Sequence, residues 1–366
     1  MFVPDLEPFE ASIPSGWYNN LAMKFYLGWM IITFGVTMAL FVPFINLLFR
    51  LKFLRKAETG EVRKGASANF YKIREMHAGK AGTPTGGGIL VAGVVLLACT
   101  LVLGWMGVSG NLFSGHPIWG ELAALFVTFG GFAILGFYDD LIKIFGYAKS
   151  GFFGLRMRHK FALQWLVALV TAGILYWGLG IDFINLPGVG IVRLGIIYFV
   201  MAAFLIVGFA NAFDITDGLD GLSCGLLLIC LLAFWGISLS GLDRVLGLFI
   251  AVWMGALAAF LYFNIHPARI MLGNMGGLAF GATLAVVGLL SGKIVALLVV
   301  GGIFIAEGLS SLLQLFSKRF MKKRFFPIAP LHHWLQLAGW EEPKIVARAW
   351  LAGIVLAIFG VWLASL

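Results

Sequence analysis

The sequence predicts an all-α polytopic integral membrane protein, and three observations carry that prediction. Hydrophobic residues make up 61% of the 366-residue chain and charged residues only 12%, a balance that leaves too little polar surface for a soluble protein. Segments of about twenty nearly uncharged residues recur from end to end, each long enough to cross a hydrocarbon core. With the amino terminus outside, all but four of the 26 Lys and Arg residues fall in the inside segments, leaving Lys24, Arg193, Arg244 and Lys293 near the outer face. That bias sets the orientation. The net charge of +9 is therefore a topology signal. No soluble stretch interleaves bases with exposed aromatics, so nucleic acid is not an expected partner.

Ten spans are expected at 24–49, 86–106, 120–138, 161–179, 194–211, 222–240, 244–263, 277–291, 294–316 and 345–366, forming one membrane domain over residues 1–366. The acidic start MFVPDLEPFE lacks the basic, apolar and small-residue order of a signal peptide, so the first span is expected to direct insertion. Cys99, Cys224 and Cys230 fall inside or at the edge of spans with no paired spacing, which reads as packing. IDFINLPGVGIVRLG, after the fourth span, alternates apolar residues around a Pro-Gly turn and predicts a short outside β-hairpin.

The inside segments carry the chemistry. The first runs from Arg50 to Thr85, holds nine basic residues and ends in GKAGTPTGGG. Its Gly-rich turn, with Lys80, Thr83 and Thr85, either offers amides, hydroxyls and a cation to a phosphate or is a plain flexible loop. The third span ends in GFYDDLIKI. There Asp139 and Asp140 repel each other at a membrane boundary, with Lys143 one turn onward, and a metal or a proton transfer explains such a pair. Lys149, Arg156, Arg158, His159 and Lys160 follow, most of them readable as simple topology determinants. NAFDITDGLDGL then places Asp214, Asp217 and Asp220 at three-residue intervals between two spans. Hard oxygen ligands with glycines between them suit Mg²⁺ and phosphate. FNIHPARIMLGNMGGLAFG adds Asn264, His266, Arg269 and Asn274, with His266 either a ligand contact or a loop residue. Glu307, inside the ninth span, reads as structural because nothing nearby in sequence completes a constellation. In the last inside segment His332 and His333 sit in a proline-bounded turn beyond a basic run. They suit phosphate better than zinc, since no cysteine or third histidine stands close. Carboxylates for Mg²⁺ beside cations for phosphates, all on one face of a bilayer, are the parts of a phosphoryl or phosphosugar transfer site with a lipid phosphate as second substrate.

From Lys80 to the carboxyl terminus the chain resembles the polyprenyl-phosphate N-acetylhexosamine-1-phosphate transferases, through GTPTGGG, FYDDLIK, NAFDITDGLDGL, FNIHPARIMLGNMGG and PLHHWLQLAGWEEPKIVARAW. The last motif resembles the branch of the family that acts on UDP-MurNAc-pentapeptide in peptidoglycan synthesis. The resemblance implies ten spans, a homodimer, Mg²⁺, and a site facing the cytoplasm of a bacterial inner membrane. It also implies transfer of phospho-MurNAc-pentapeptide to undecaprenyl phosphate, giving lipid I and UMP. Asp139 is similar to the family's base or nucleophile, Asp140 to its neighbour, and Asp217 to the central acidic motif with a part in catalysis and metal binding. Lys80, Thr85, Lys143, Asn211, Asp220, Asn264, His332 and His333 are similar to its substrate contacts. Two positions depart from the pattern: Asp214 replaces an asparagine, and Asn274 replaces an aspartate taken to be a Mg²⁺ ligand. The expected metal set is Asp214, Asp217 and Asn274, with the charge either moved between neighbours or the enzyme impaired. A UDP-N-acetylglucosamine transferase serving another surface polymer is the alternative enzyme. A transporter or scaffold is the alternative class, disfavoured because no paired broken spans appear in matching halves.

Overall fold

The computed structural model describes residues 15–55, 68–108, 114–146, 157–240 and 243–366. The acidic start and Lys56, Arg63, Lys64, Lys149 and Arg156 lie outside them. Among the described residues eight helices are long and apolar enough to cross a membrane. They are α1 (Ser15–Arg50), α3 (Gly87–Val108), α4 (Ile118–Phe145), α5 (Met157–Gly173), α6 (Ile196–Thr216), α7 (Leu222–Ser240), α8 (Arg244–Asn264) and α13 (Glu342–Ser365). Short helices α2 (Ala68–Met76) and α12 (Leu331–Leu337) lie between them.

Two of the ten expected spans take a different form. α9 (Asn274–Leu290) is apolar but only 17 residues long, whereas α5, of the same length, continues through a π-helical turn to Gly178 and makes a span of 22 residues. The segment expected at 294–316 is two helices, α10 (Ile294–Val300) and α11 (Gly302–Phe316), bent by 73° at Gly301. Apolarity alone does not register such a bend, because both halves are equally hydrophobic. Eight spans are thus clear, and nine if the bent pair counts as one.

Burial orders the bundle. α8, RVLGLFIAVWMGALAAFLYFN, is apolar on every face, as a central helix must be; 89% of its span is buried, against 28% for α1, α5 and α13 at the rim. The three cysteines are free and buried, as packing residues. The predicted hairpin forms: β1 (Phe183–Leu186) pairs antiparallel with β2 (Gly190–Arg193), Phe183 opposite Arg193, through a turn in which Gly188 has φ +76°. It follows α5 and precedes α6, so it lies at the opposite end of the bundle from the Asp139 end of α4.

One close approach positions the site. A Cβ at Gly136 would overlap the backbone of Asn274 and Met275. The missing side chain lets the start of α9 rest on α4 one turn before Asp139 and Asp140.

Candidate active site

The end of α4, the start of α5, the end of α6 and the start of α9 meet at one end of the bundle. Asp139, buried to 1% exposure, is the common partner there. Its Oδ2 lies 3.2 Å from Lys143 Nζ and 3.2 Å from Lys160 Nζ, and it accepts a hydrogen bond from Asn274 Nδ2. Lys160, 7% exposed, also reaches Asp214 Oδ2 at 3.3 Å. The two exchanged positions therefore share one cluster, and Asp214 Oδ1 lies 2.9 Å from where a Cβ of Gly277 would stand, on the first turn of α9. Helical spacing explains the match. Lys160 and Gln164 are four apart on α5, Asn211 and Asp214 three apart on α6, and the two pairs face each other. Asn211 Nδ2 donates to Gln164 Oε1 at 2.8 Å and to Val207 O at 2.8 Å.

Asp140 does something else. Its Oδ1 accepts from Asn274 N at 3.0 Å and its Oδ2 from Met275 N at 3.1 Å, so both oxygens cap the positive end of α9. The Gly-rich turn is also engaged: Thr85 N donates to Phe53 O, Gly86 N and Gly87 N to Met271 O, and Gly88 N to Leu272 O. Its amides clasp the loop that leads to Asn274, and they are not open to a phosphate. Asn264 is a second clasp, accepting from Gly221 N at 3.1 Å and donating to Ile270 O at 2.9 Å.

A second ionic cluster stands beyond the central turn. Lys80 Nζ lies 2.7 Å from Asp220 Oδ1 and 2.5 Å from Glu342 Oε1. The same Glu342 oxygen accepts from Asp220 N at 2.6 Å, while Asp220 Oδ2 accepts from Ala268 N and faces His266 Nδ1, both at 3.1 Å. Burial alone would raise the Asp220 carboxyl; the hydrogen bond and charge of Lys80 outweigh it and hold Asp220 below the usual aspartate value. Asp217 lies between the clusters and accepts from Ser223 Oγ at 2.5 Å. Burial pushes its carboxyl up to about 6; the Ser223 bond opposes that shift and the charge of Asp214 adds to it.

The histidines separate. His332, 1% exposed, is held by Glu307, whereas His333 Nδ1 pairs with Gln336 Oε1 at 3.0 Å, and Gln336 in turn meets His77. Burial, with the neighbouring His332 next, pushes His333 down to about 3. Sequence reading missed Lys160, Glu342 and Gln336, and put Glu307 aside as structural. Only Lys160 left a signal, one turn before Gln164 on the helix facing Asn211 and Asp214.

The donor chemistry of the first cluster fits Mg²⁺. Two carboxylates and an amide are donor types that Mg²⁺ takes, and the ammonium of Lys160 stands between the carboxylates as a tethered cation. Among the described residues Asn274 Oδ1 takes no hydrogen bond while Nδ2 is on Asp139. Asp217 stands apart from that group. Among the described residues the one trio of His, Asp or Glu with ligand atoms within 4.8 Å of one another is Asp220, His266 and Glu342, and Lys80 lies against both of its carboxylates as Lys160 does in the first cluster.

Residues 122–292 match glycosyl transferase family 4, a stretch that contains Asp139, Lys160, Asp214 and Asn274. The chain is 33% identical to the phospho-N-acetylmuramoyl-pentapeptide-transferase of Bacillus velezensis over 91% of its own length and 98% of that protein's. It is 32% identical to the Bacillus subtilis transferase of the same name over the same shares, 91% and 98%. The chain belongs to the phospho-N-acetylmuramoyl-pentapeptide transferase family. A third member, from Heliobacterium modesticaldum, is 38% identical over 79% of this chain and 85% of its own.

Proposed function

We propose that the chain transfers phospho-MurNAc-pentapeptide from UDP-MurNAc-pentapeptide to undecaprenyl phosphate, forming lipid I and UMP. The observation that carries this reading is the meeting of the separated aspartate, lysine and asparagine motifs at one end of an apolar helix bundle, in a member of this family. A carrier with a hydrocarbon tail and a phosphate head reaches such a site from the bilayer. The distribution of Lys and Arg supports placing that end in the cytoplasm of a bacterial cell, with ten membrane passages if α9 and the bent α10–α11 each cross once.

In the transfer, an oxygen of the lipid phosphate forms a bond to the β-phosphorus of the UDP-sugar. The bond from that phosphorus to the bridging oxygen breaks, and UMP leaves with its electron pair. Asp139 aligns the lipid phosphate and takes its proton. In the free protein its Oδ2 is occupied by two ammonium groups and an amide. Lys143, at 36% side-chain exposure the more accessible of the two lysines, is drawn onto the arriving phosphate, which vacates one of the three positions on that oxygen for the proton. Lys160 stays with Asp214 and keeps the inner part of the cluster neutral. Lys80 and the two histidine-bearing turns border the nucleotide side. Asp139, Asp214 and Asn274 would hold Mg²⁺, and the metal would supply positive charge to the diphosphate. Assembly as a homodimer is part of the same reading, and light scattering of detergent-solubilised protein tests it.

The deciding experiment incubates purified protein with undecaprenyl phosphate, Mg²⁺ and either UDP-MurNAc-pentapeptide or UDP-N-acetylglucosamine, and measures UMP. Release with the first alone supports the reading. Release with the second alone moves the chain to the other enzyme class, and release with neither removes the transferase reading.

A further inference from the structure

Glu307 is a carboxylate buried to 6% exposure within the apolar helix α11, a position where an ionisable group is expensive and rarely idle. Its Oε1 accepts from His332 N at 3.1 Å; its Oε2 lies 3.4 Å from the same N and 3.2 Å from His332 Nδ1. One carboxylate thus receives both the main-chain N–H and a ring nitrogen of the same histidine. An anionic acceptor at Nδ1 places the ring proton there and leaves the lone pair on Nε2. That Nε2 is buried and makes no hydrogen bond among the described residues. It points at the central acidic turn, where a Cβ on Gly218 would collide with it. Buried polar atoms without partners are few in native proteins, and each one calls for an explanation.

We propose that Glu307 is a positioning residue for the transfer reaction: it fixes His332 with its proton on Nδ1, so that Nε2 accepts a hydrogen bond from a hydroxyl or N–H of the bound nucleotide-sugar at the Asp217–Gly218 turn. The proposal rests on the function given above. A carboxylate is required because two donors converge on it. A glutamine has one acceptor oxygen, and its amide N–H would meet Nδ1, driving the ring proton to Nε2 and converting the acceptor into a donor. Gly218 fits the same design, since any side chain there would displace the imidazole.

The test has two readouts. In Glu307→Gln, ¹⁵N NMR of histidine-labelled protein reads the His332 tautomer, and UMP release from UDP-MurNAc-pentapeptide gives kcat and KM. Expected are the exchanged tautomer, kcat lower by about 10–100-fold, the usual cost of losing such an orienting partner, and an unchanged melting temperature. In a His332→Ala background Glu307→Gln should cost nothing further. A wild-type kcat in Glu307→Gln overturns the proposal, as does an equal loss in both backgrounds. If Glu307→Gln does not fold, His332→Asn serves instead, because its amide keeps a donor for Glu307 and removes the Nε2 atom. It should melt like the wild type with kcat reduced, and a normal kcat overturns the proposal. Should the wild type itself release no UMP, the functional reading fails, while the tautomer still reports whether Glu307 controls His332.

Discussion

Replacing Asp214 by Asn tests whether the exchanged pair Asp214 and Asn274 works as one unit. Asp214 Oδ2 lies 3.3 Å from the ammonium of Lys160. At that separation two unit charges interact by about 5 kcal/mol at an effective dielectric of 20 and by about 1 kcal/mol in bulk water. The Asp214 side chain is 28% exposed, which places the loss between those limits, at about 2 kcal/mol or a factor of about 30. Taking that attraction as the worth of the Asp214 charge to a cation at this site, Asp214→Asn should raise the Mg²⁺ concentration for half-maximal UMP release about 30-fold. Adding Asn274→Asp should bring it back to within about threefold, because residues linked in one network, here through Asp139 and Lys160, couple by about 0.5–3 kcal/mol. The assay is UMP release against Mg²⁺ for the wild type, both single variants and the double variant, with the Mg²⁺-induced shift in melting temperature as a second measure. Additive effects around this cycle would refute the coupling. If instead Asn274 simply disables the enzyme, Asn274→Asp alone should restore a strong Mg²⁺-dependent rate whatever stands at position 214.

Three further outcomes are expected. Asp139→Asn should lower the rate by at least about 100-fold, the usual scale of acid–base assistance; normal UMP release would remove its assigned role, and Asp140, with both oxygens on α9, would be a poor substitute. Asp220 is held below its ordinary value in the folded state, so the stability it contributes is present above the unfolded aspartate pKa and is lost as pH falls through the lower folded value. Melting temperature should thus drop in that acid window, and Lys80→Met, scanned over the same pH range, should flatten the drop; an equally steep loss would show that the pair is not its source. With His333 pushed to about 3 by burial, it is neutral above pH 5 and sets no limb of the pH–rate profile there. His333→Gln should leave the apparent pKa of the acid limb in place, and a shifted limb would contradict this.

What the sequence made legible was whatever depends on neighbours along the chain. Apolar length predicted the helices, and the Pro-Gly turn between alternating residues predicted the hairpin. The bend at Gly301 escaped because it breaks direction without breaking hydrophobicity. In the site, Asp139 and Asp214 stood out as carboxylates at span ends. Lys160 looked like any base flanking a span, since its partners lie 21 and 54 positions away in α4 and α6. Glu342 meets Lys80 across 262 positions and Glu307 meets His332 across 25, separations at which no local spacing rule operates. Asp140, Thr85 and Asn264 show the converse. Their residue types suggested chemistry with a ligand, but the oxygens of Asp140, the amide of Thr85 and both ends of the Asn264 side chain are given to backbone groups that shape the loops.

The ammonium of Lys160 also bears on how the protein is made. A pocket of carboxylates left bare during insertion would push its own helices apart until an ion arrived. Here the counter-charge travels with the chain: as α5 docks beside α4 and α6, it brings a cation that never has to be captured. Biogenesis is thereby uncoupled from ion supply, so protein produced and purified in chelator should carry its full helical packing and melt as one cooperative unit. A broad, non-cooperative transition that sharpens only on adding a divalent ion would show the reverse, that the ion is needed for assembly.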